Sequence, residues 1–211
     1  MTAPLIAVLD YGIGNLRSAE KALQKVGADA RLTRDGAVVA DADAVVLPGV
    51  GAFGACMDAL RGAGLEGVIH DAVESGRPFL GICVGMQMLF DDSEENPEAR
   101  GLGVIPGSVR WIPAGVKRPQ MQWNRLHISR PDPLLVGTEL ADAAGGPWVY
   151  FVHSLHGVPR DASDVVATCE YGSTLNAVFR HGNVIATQFH PEKSGASGLA
   201  MLRNFVDGVR S

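Results

Sequence analysis

Arg77-Pro-Phe-Leu-Gly-Ile-Cys83-Val-Gly-Met-Gln-Met-Leu-Phe90 is the stretch of sequence that decides the fold. Residues 79–82 form a short apolar run, which predicts a buried strand. The apolar residues from Met86 to Phe90 predict a helix that ends at Asp91-Asp92. Cys83 therefore stands where a strand turns into a helix, with a glycine two positions away on each side. This is the spacing of a nucleophile elbow in which cysteine replaces serine. The start of a helix at that point favours the thiolate form of the sulfur.

Cys83 also has a competing interpretation, because a lone cysteine is most often a small hydrophobic residue of the core. The flanking glycines favour the elbow, since so tight a turn requires neighbours without side chains. The other two cysteines lack such neighbours. Cys56 falls on a predicted helix and Cys169 in a predicted strand, so both are predicted to be core residues.

Composition limits the class of protein. A chain of 211 residues with 46% hydrophobic content is long enough for one domain covering residues 1–211. A net charge of −5 argues against a nucleic-acid-binding or membrane-surface protein. The cysteine spacing does not indicate a zinc site, and the first ten residues lack the features of a signal peptide or membrane helix. These features predict a cytoplasmic protein with reduced thiols and no metal.

The first half of the chain alternates apolar strands with amphipathic helices. Strands are predicted at residues 5–9, 30–33, 44–47 and 79–82, and helices at 16–26, 55–63 and 68–74. Strands that alternate with helices indicate a parallel α/β sheet covered on both faces. The acidic segment 91–100 is predicted to be an exposed loop.

The second half of the chain differs from the first, because short β-like runs replace the alternation of strands and helices. They cover residues 104–105, 109–112, 148–153, 165–171, 175–179 and 184–189. His181-Gly182 reads as a tight hairpin turn between the last two runs, so this part is predicted to be largely antiparallel. A closing helix is predicted to begin at Ser197 as its N-cap.

One glycine loop permits two interpretations. Gly49-Val-Gly-Ala-Phe-Gly54 follows a strand and matches the dinucleotide-binding fingerprint, which would indicate an oxidoreductase. That site also needs an acidic residue at the end of the next strand, and here the next strand ends in Ile82-Cys83. The favoured interpretation is that Gly49-Val50-Gly51 presents backbone N–H groups at a strand end beside the elbow.

A nucleophilic cysteine needs a base, and the base needs a group that orients it. Both are present in Thr187-Gln-Phe-His190-Pro-Glu192. Side chains alternate along a strand, so we expect His190 and Glu192 to point the same way. The alternatives are a solvent-facing pair, or a metal site with Cys83, although no paired-ligand motif supports the metal. His153 is interpreted as structural.

Together, these segments resemble the class I (triad) glutamine amidotransferases. The resemblance is carried by Gly81-Ile-Cys83-Val-Gly-Met-Gln-Met-Leu-Phe90 and Phe189-His-Pro-Glu192. Asp10-Tyr-Gly-Ile-Gly-Asn15, Leu47-Pro-Gly-Val-Gly-Ala-Phe53 and Phe189-His-Pro-Glu-Lys-Ser194 are most similar to the glutaminase subunits of imidazole glycerol phosphate synthases, enzymes of histidine biosynthesis. The similarity covers essentially the whole chain.

The resemblance implies an α/β fold of the flavodoxin-like type, a three-layer sandwich with a mixed, mainly parallel central sheet. It implies L-glutamine as the substrate, no cofactor, and a heterodimer with a cyclase subunit, a (β/α)₈ barrel that receives the ammonia. It also implies three sets of site residues. These are Cys83, His190 and Glu192 as the catalytic triad, the N–H groups of Val84 and of Val50 or Gly51 as the oxyanion hole, and Gln87 as a contact of the glutamine.

This sequence departs from the family pattern in two segments. Gln120 and Gln122 occupy positions where the family usually has histidine and glycine, and Leu155-His156 occupies a position where tyrosine is usual. A glycine at position 122 would permit a positive φ, which glutamine disfavours. Because of these departures, an inactive binding subunit stays open as an alternative function. Two further alternatives are an amidotransferase or γ-glutamyl hydrolase of another pathway and a dinucleotide-binding oxidoreductase.

Overall fold

The computed structural model describes residues 2–138 and 146–210. Six α-helices lie in these ranges: α1 Leu16–Lys25, α2 Gly36–Asp41, α3 Phe53–Gly62, α4 Leu65–Glu74, α5 Val84–Gln87 and α6 Gly195–Val209. Thirteen strands lie in the same ranges: β1 Leu5–Leu9, β2 Asp29–Thr33, β3 Ala44–Gly49, β4 Phe79–Cys83, β5 Asp92–Ser93, β6 Gly107–Trp111, β7 Gln120–Arg125, β8 His127–Ile128, β9 Trp148–His153, β10 Leu155–Pro159, β11 Val165–Glu170, β12 Thr174–His181 and β13 Val184–Thr187.

The central sheet is mixed and has eight strands in the order β2-β1-β3-β4-β13-β12-β11-β8. The first five are parallel, in the order typical of flavodoxin-like folds, and the last three run antiparallel to their neighbours. The predicted mixed, mainly parallel α/β sheet is confirmed. The predicted tight hairpin between β12 and β13 is also confirmed, although its two loop residues are Gly182 and Asn183, because His181 ends β12 and pairs with Val184.

The helices form layers on the two faces of this sheet. Because the chain reverses its direction across the sheet after β2, right-handed crossovers place α1 on one face and α2 to α4 on the other. In agreement, α6 packs on α1, and α4 packs on both α2 and α3. Strands β3 and β4 are buried along their whole length, which explains their continuous apolar sequences.

Two small sheets lie beside the central one. Strands β10, β6 and β5 form the first, and β7 pairs with β9 in the second. Strands β7 and β10 were absent from the sequence-based prediction. Gln122 lies in β7 opposite Phe151, and its φ is not positive, so the replacement of glycine there does not disturb the backbone.

Four sequence-based predictions are corrected. The helix after Cys83 ends at Gln87 and does not continue to Phe90, because the carbonyls of residues 88–90 accept hydrogen bonds from the chain segment 102–105. Residues 104–105 are not a strand. The segment 91–100 is not simply an exposed loop, since Ser93 is buried in β5. Helix α6 begins at Gly195, with Ser194 rather than Ser197 at its N-cap.

Candidate active site

Cys83 forms a strained elbow at the carboxyl end of β4. Its φ of 55° and ψ of −115° make it the one residue other than glycine with a positive φ in ranges 2–138 and 146–210. Both flanking glycines are required by close contacts. A Cβ on Gly81 would lie 2.8 Å from Leu89 Cδ1, and one on Gly85 would lie 1.9 Å from the Leu47 carbonyl oxygen. The elbow predicted from the glycine spacing is therefore present in the structure.

The segment Pro48–Gly51 runs beside the elbow, and we call it the glycine loop. Gly49 is aligned with Cys83 across β3 and β4, and a Cβ on Gly49 would lie 2.5 Å from the Gly85 nitrogen. Gly51 has a φ of 109°, a conformation that side chains of L-residues rarely permit. The glycines therefore serve the close packing of this loop on the elbow.

His190 and Glu192 form a buried pair after the end of β13. The His190 Nδ1 lies 2.8 Å from Glu192 Oε1, and the two side chains are 3% and 5% exposed. The sequence predicted that His190 and Glu192 point the same way because side chains alternate along an extended strand. The two side chains do meet, but that reason is wrong. The strand ends at Thr187, and Glu192 reaches the imidazole because Pro191–Lys193 forms a 3-10 turn.

The turn that carries Glu192 is fixed by its surroundings. The Ser194 hydroxyl donates to the His190 carbonyl at 2.7 Å and accepts from the Tyr150 N–H at 3.0 Å. Helix α6 approaches the turn so closely that a Cβ on Gly198 would lie 1.9 Å from the Pro191 carbonyl oxygen. The orientation of the His190–Glu192 pair is thus set by a packed scaffold.

The electrostatic surroundings of His190 favour its charged form. Burial lowers the pKa of the imidazole, but its contacts with the Cys83 sulfur and the Glu192 carboxylate outweigh that effect and raise the pKa to about 9. The imidazolium form is therefore favoured at neutral pH, with Nδ1 paired to the Glu192 carboxylate. A group in this state can donate a proton to a leaving group.

A cavity of about 250 Å³ opens onto the Cys83 sulfur. Its lining includes every residue predicted for the site except Glu192, which lies behind His190. The lining residues are Val50, Gly51, Cys83, Val84, Gln87, Glu95, Pro119, Val152, His153, Ser154, Leu155 and His190. The parallel order of β3, β4 and β13 places this cavity at the carboxyl ends of the strands, where sites of open α/β sheets form.

The amide nitrogen of Gln87 is engaged within the protein. It donates to the Leu155 carbonyl at 3.2 Å and to Gln188 Oε1 at 3.3 Å. Gln188 is fully buried, and its own Nε2 lies 3.9 Å from Cys83 Sγ. Gln87 therefore offers a ligand its side-chain oxygen, and Gln188 adds a donor beside the sulfur that the sequence analysis missed.

Glu95 is a second residue that the sequence analysis missed, because it belongs to the acidic segment predicted to be an exposed loop. Its Oε2 accepts from the Phe53 N–H at 2.7 Å, and Asn96 Oδ1 accepts from the Gly54 N–H at 3.0 Å. These two side chains occupy the N-terminus of α3, where a dinucleotide pyrophosphate would have to bind. The dinucleotide interpretation of Gly49–Gly54 is therefore not supported.

His153, interpreted as structural, lies in the cavity lining. Its Nδ1 is 2.7 Å from the Leu155 carbonyl oxygen, so Nδ1 carries the proton. Burial lowers the pKa of this imidazole to about 4, and it is neutral at pH 7.

The structure also bears on a metal site and on a membrane-spanning helix. Within the described ranges, no group of three or more His, Cys, Asp or Glu residues could hold a metal ion, and no helix is long and apolar enough to cross a membrane.

Comparisons with known proteins agree with this geometry. Residues 7–209 match the family model described as "Glutamine amidotransferase class-I". The chain is 51% identical to an imidazole glycerol phosphate synthase subunit HisH from Syntrophotalea carbinolica, over 96% of this chain and 100% of the relative. It is 47% identical to the subunit of that name from Methanothermobacter thermautotrophicus, over 98% of this chain and 100% of the relative. The solved structure of PurLQS from Thermotoga maritima has a similar fold, with a TM-score of 0.77 at 21% identity over 98% and 99% of the two chains.

Proposed function

Because the chain belongs to the class-I glutamine amidotransferase family, we propose that it hydrolyses L-glutamine to glutamate and ammonia through Cys83, His190 and Glu192. The assignment of these residues rests on one observation. A cysteine in a strained elbow lines the same cavity as an imidazole whose Nδ1 lies 2.8 Å from a buried carboxylate. That is the arrangement of a nucleophile, a base and an orienting acid.

In the first half of the reaction, the Cys83 thiolate attacks the side-chain amide carbon of glutamine. A C–S bond forms, and the electron pair of the carbonyl moves onto its oxygen. When this tetrahedral intermediate collapses, the C–N bond breaks and the His190 imidazolium donates its proton to the leaving nitrogen. The products of this step are ammonia, a γ-glutamyl thioester and neutral His190.

In the second half, water replaces ammonia. Neutral His190 accepts a proton from the water, whose oxygen attacks the thioester carbon. The C–S bond then breaks, which regenerates the thiolate and the imidazolium and releases glutamate. Glu192 holds the imidazole tautomer and stabilises its charged form in both halves.

The oxyanion formed in each half needs donors that are already oriented. We propose the N–H of Val84, which follows the nucleophile, and an N–H of Val50 or Gly51 from the glycine loop, because all three residues line the cavity. Loss of one such donor typically lowers kcat by about 10²–10³.

The amino-acid end of glutamine needs a contact for its α-ammonium group. Glu95 is suited to this role, since its Oε2 is held by the Phe53 N–H while the carboxylate faces the cavity. The Gln87 side-chain oxygen is a second acceptor, because the Gln87 nitrogen is engaged with Leu155 and Gln188. We therefore propose that Glu95 and Gln87 together orient the substrate.

The ammonia acceptor follows from the relatives. Since subunits of imidazole glycerol phosphate synthase are about half identical to this chain over nearly its full length, the chain is proposed to form a heterodimer with the cyclase subunit of that enzyme. The cyclase would use the ammonia to make imidazole glycerol phosphate and an aminoimidazole carboxamide nucleotide for histidine biosynthesis. Delivery within a complex matters because ammonia released into water at pH 7 is mostly protonated and not nucleophilic. The cytoplasm, which keeps thiols reduced, is the proposed compartment.

Glutamate release tests this proposal. It is measured for the isolated chain, for the chain with the cyclase subunit, and for that complex with its nucleotide substrate. We expect the fastest release in the third mixture. The Cys83→Ala variant should release no glutamate, yet its complex should still make product from added ammonia. Wild-type-like glutamate release by Cys83→Ala would refute the mechanism, and equal release in all three mixtures would refute control by the partner.

A further inference from the structure

Two buried side chains bind the glycine loop from the side that faces away from the cavity. The Tyr11 hydroxyl donates to the Pro48 carbonyl at 2.8 Å, and the Cys56 thiol donates to the Val50 carbonyl at 3.3 Å. Tyr11 comes from the segment after β1 and Cys56 from α3. Val50 and Gly51 line the cavity, whereas Tyr11 and Cys56 lie outside its lining.

The bond from Cys56 determines where the N–H of Gly51 points. A trans peptide is planar, and its C=O and N–H point in opposite directions. A thiol that holds the Val50 carbonyl on one side therefore directs the Gly51 N–H to the other. The bond from Tyr11 to Pro48 holds the peptide at the point where β3 leads into the loop.

The Tyr11 hydroxyl and the Cys56 thiol can both remain hydrogen-bond donors to the loop at neutral pH. Cys56 is fully buried and Tyr11 is 4% exposed, so neither donates to bulk water. Burial is the largest influence on both groups: it raises the pKa of Cys56 to about 11 and raises the pKa of Tyr11 as well, so both keep their protons at neutral pH.

The loop cannot hold itself in this way. Gly51 lies beyond the end of β3 with a φ of 109° and has no side chain, so the intrinsic conformational freedom at this end of the loop is large. The Tyr11 hydroxyl also occupies the space beside Gly49, since a Cβ there would lie 2.8 Å from the Tyr11 oxygen. External donors are thus the means by which a flexible backbone is held in one arrangement.

We propose that Tyr11 and Cys56 are positioning residues that clamp the glycine loop: Tyr11 anchors its start, and Cys56 sets the direction of the Gly51 N–H, one of the proposed oxyanion donors. The inference rests on the proposed function, because it gives a catalytic meaning to the loop. Neither residue touches the substrate. Cys56, predicted from the sequence to be a core residue, is buried as expected and also makes a polar contact with the loop.

The test compares Cys56→Ala, which removes the donor, with Cys56→Ser, which keeps one, and adds Tyr11→Phe, which removes only a hydroxyl. We expect Cys56→Ala and Tyr11→Phe to lower kcat for glutamine hydrolysis in the complex with the cyclase roughly tenfold, which corresponds to the loss of one ordinary hydrogen bond. KM should stay within about twofold, because the clamp acts on the developing oxyanion rather than on bound glutamine. Cys56→Ser should keep most of the wild-type rate.

A second measurement separates positioning from damage to the site. Alkylation of Cys83 by iodoacetamide is a displacement at carbon that forms no oxyanion, so its rate should be unchanged in all three variants. The clamp is refuted if Cys56→Ser loses as much activity as Cys56→Ala, if alkylation slows in parallel with hydrolysis, or if kcat is unchanged in both Cys56→Ala and Tyr11→Phe. Should Cys56→Ala fail to fold, Tyr11→Phe decides alone.

Amide hydrogen exchange of the fragment covering residues 48–53 tests the clamp independently of catalysis. Exchange should be faster in Cys56→Ala and Tyr11→Phe than in the wild type and in Cys56→Ser. If the wild type releases no glutamate, the proposed function fails and the exchange rates alone decide whether the loop is clamped. Equal exchange in all four proteins would overturn the inference.

Discussion

Gly85 packs directly on the carbonyl oxygen of Leu47, so closely that a Cβ on Gly85 would lie 1.9 Å from that oxygen. This contact joins the second glycine of the nucleophile elbow to β3, the strand that leads into the glycine loop. The flanking glycine of the elbow therefore has two functions: it permits the tight turn, and it brings together the two segments that are proposed to bind the oxyanion.

The first prediction follows from this contact. Gly85→Ala should lower the free energy of unfolding by about 3 kcal/mol or more, because the methyl group would overpack a fully buried site. Gly67→Ala is the matched control. Gly67 lies within α4 with nothing within 4 Å of an added Cβ, so alanine there should stabilise the protein by about 0.5–1 kcal/mol. Urea denaturation measures both, and a destabilisation of equal size in the two variants would contradict the contact.

The second prediction concerns pH. Since the pKa of His190 is raised to about 9, the imidazolium proposed to protonate the leaving nitrogen is present below that pH and is lost above it. The value of kcat/KM for glutamine hydrolysis should therefore fall as pH rises through about 9. Glu192→Gln removes one of the negative charges that raise this pKa, so the alkaline fall should begin at a lower pH.

The matched control for the pH experiment is Glu74→Gln, since Glu74 is exposed at the end of α4. This control should keep the wild-type profile. The rate of Glu192→Gln should also drop, by up to about 10⁴ if Glu192 acts as the acid of a triad does. An unshifted alkaline fall in Glu192→Gln would show that the carboxylate does not act on His190.

The third prediction concerns thiol selectivity. Burial raises the pKa of Cys56 to about 11 and that of Cys169 to about 12, so both remain unreactive thiols near pH 7. A glutamine-like electrophile should therefore label Cys83 and spare the other two, as peptide mapping by mass spectrometry would show. Label on Cys56 or Cys169 with Cys83 free would contradict the assignment of the nucleophile.

The parallel half of the fold was predictable because its strands are buried on both faces. Continuous apolar sequences such as β1, β3 and β4 need no tertiary partner to be recognised. Strand β7 was missed because Gln120–Arg125 contains only two apolar residues, Met121 and Trp123, which is too short an alternation to indicate a strand without its partner β9. Helix α2 was missed because it has only six residues and its start depends on the Asp35 cap.

The site was predictable as far as local spacing determines it. The elbow follows from glycines two residues from Cys83, and the proximity of His190 and Glu192 follows from their separation, although a 3-10 turn rather than a strand brings them together. Contacts between distant segments leave no local pattern. Glu95 reaches the cavity only because its segment docks on the start of α3, and Gln188 reaches Cys83 only because β13 pairs with β4.

The last prediction concerns the partner surface. Met121 and Trp123 project from β7 with 62% and 48% of their surfaces exposed. They adjoin the active site, because Pro119 lines the cavity and a Cβ on Gly195 would lie 3.7 Å from the Trp123 ring. An ammonia acceptor must dock beside the cavity, and large aromatic side chains dominate binding energy at protein interfaces. We therefore expect the cyclase to bind over this pair.

Val136 provides the control, since it is 67% exposed but lies at the end of the molecule opposite the cavity, beside the amino ends of β4 and β13. Trp123→Glu should weaken binding of the cyclase at least about thirtyfold, the equivalent of an interface residue that contributes about 2 kcal/mol. Val136→Glu should bind as the wild type does. Isothermal titration with the cyclase subunit measures both. If Val136→Glu weakens binding and Trp123→Glu does not, the partner docks away from the cavity, and ammonia would have to cross open solvent to reach it.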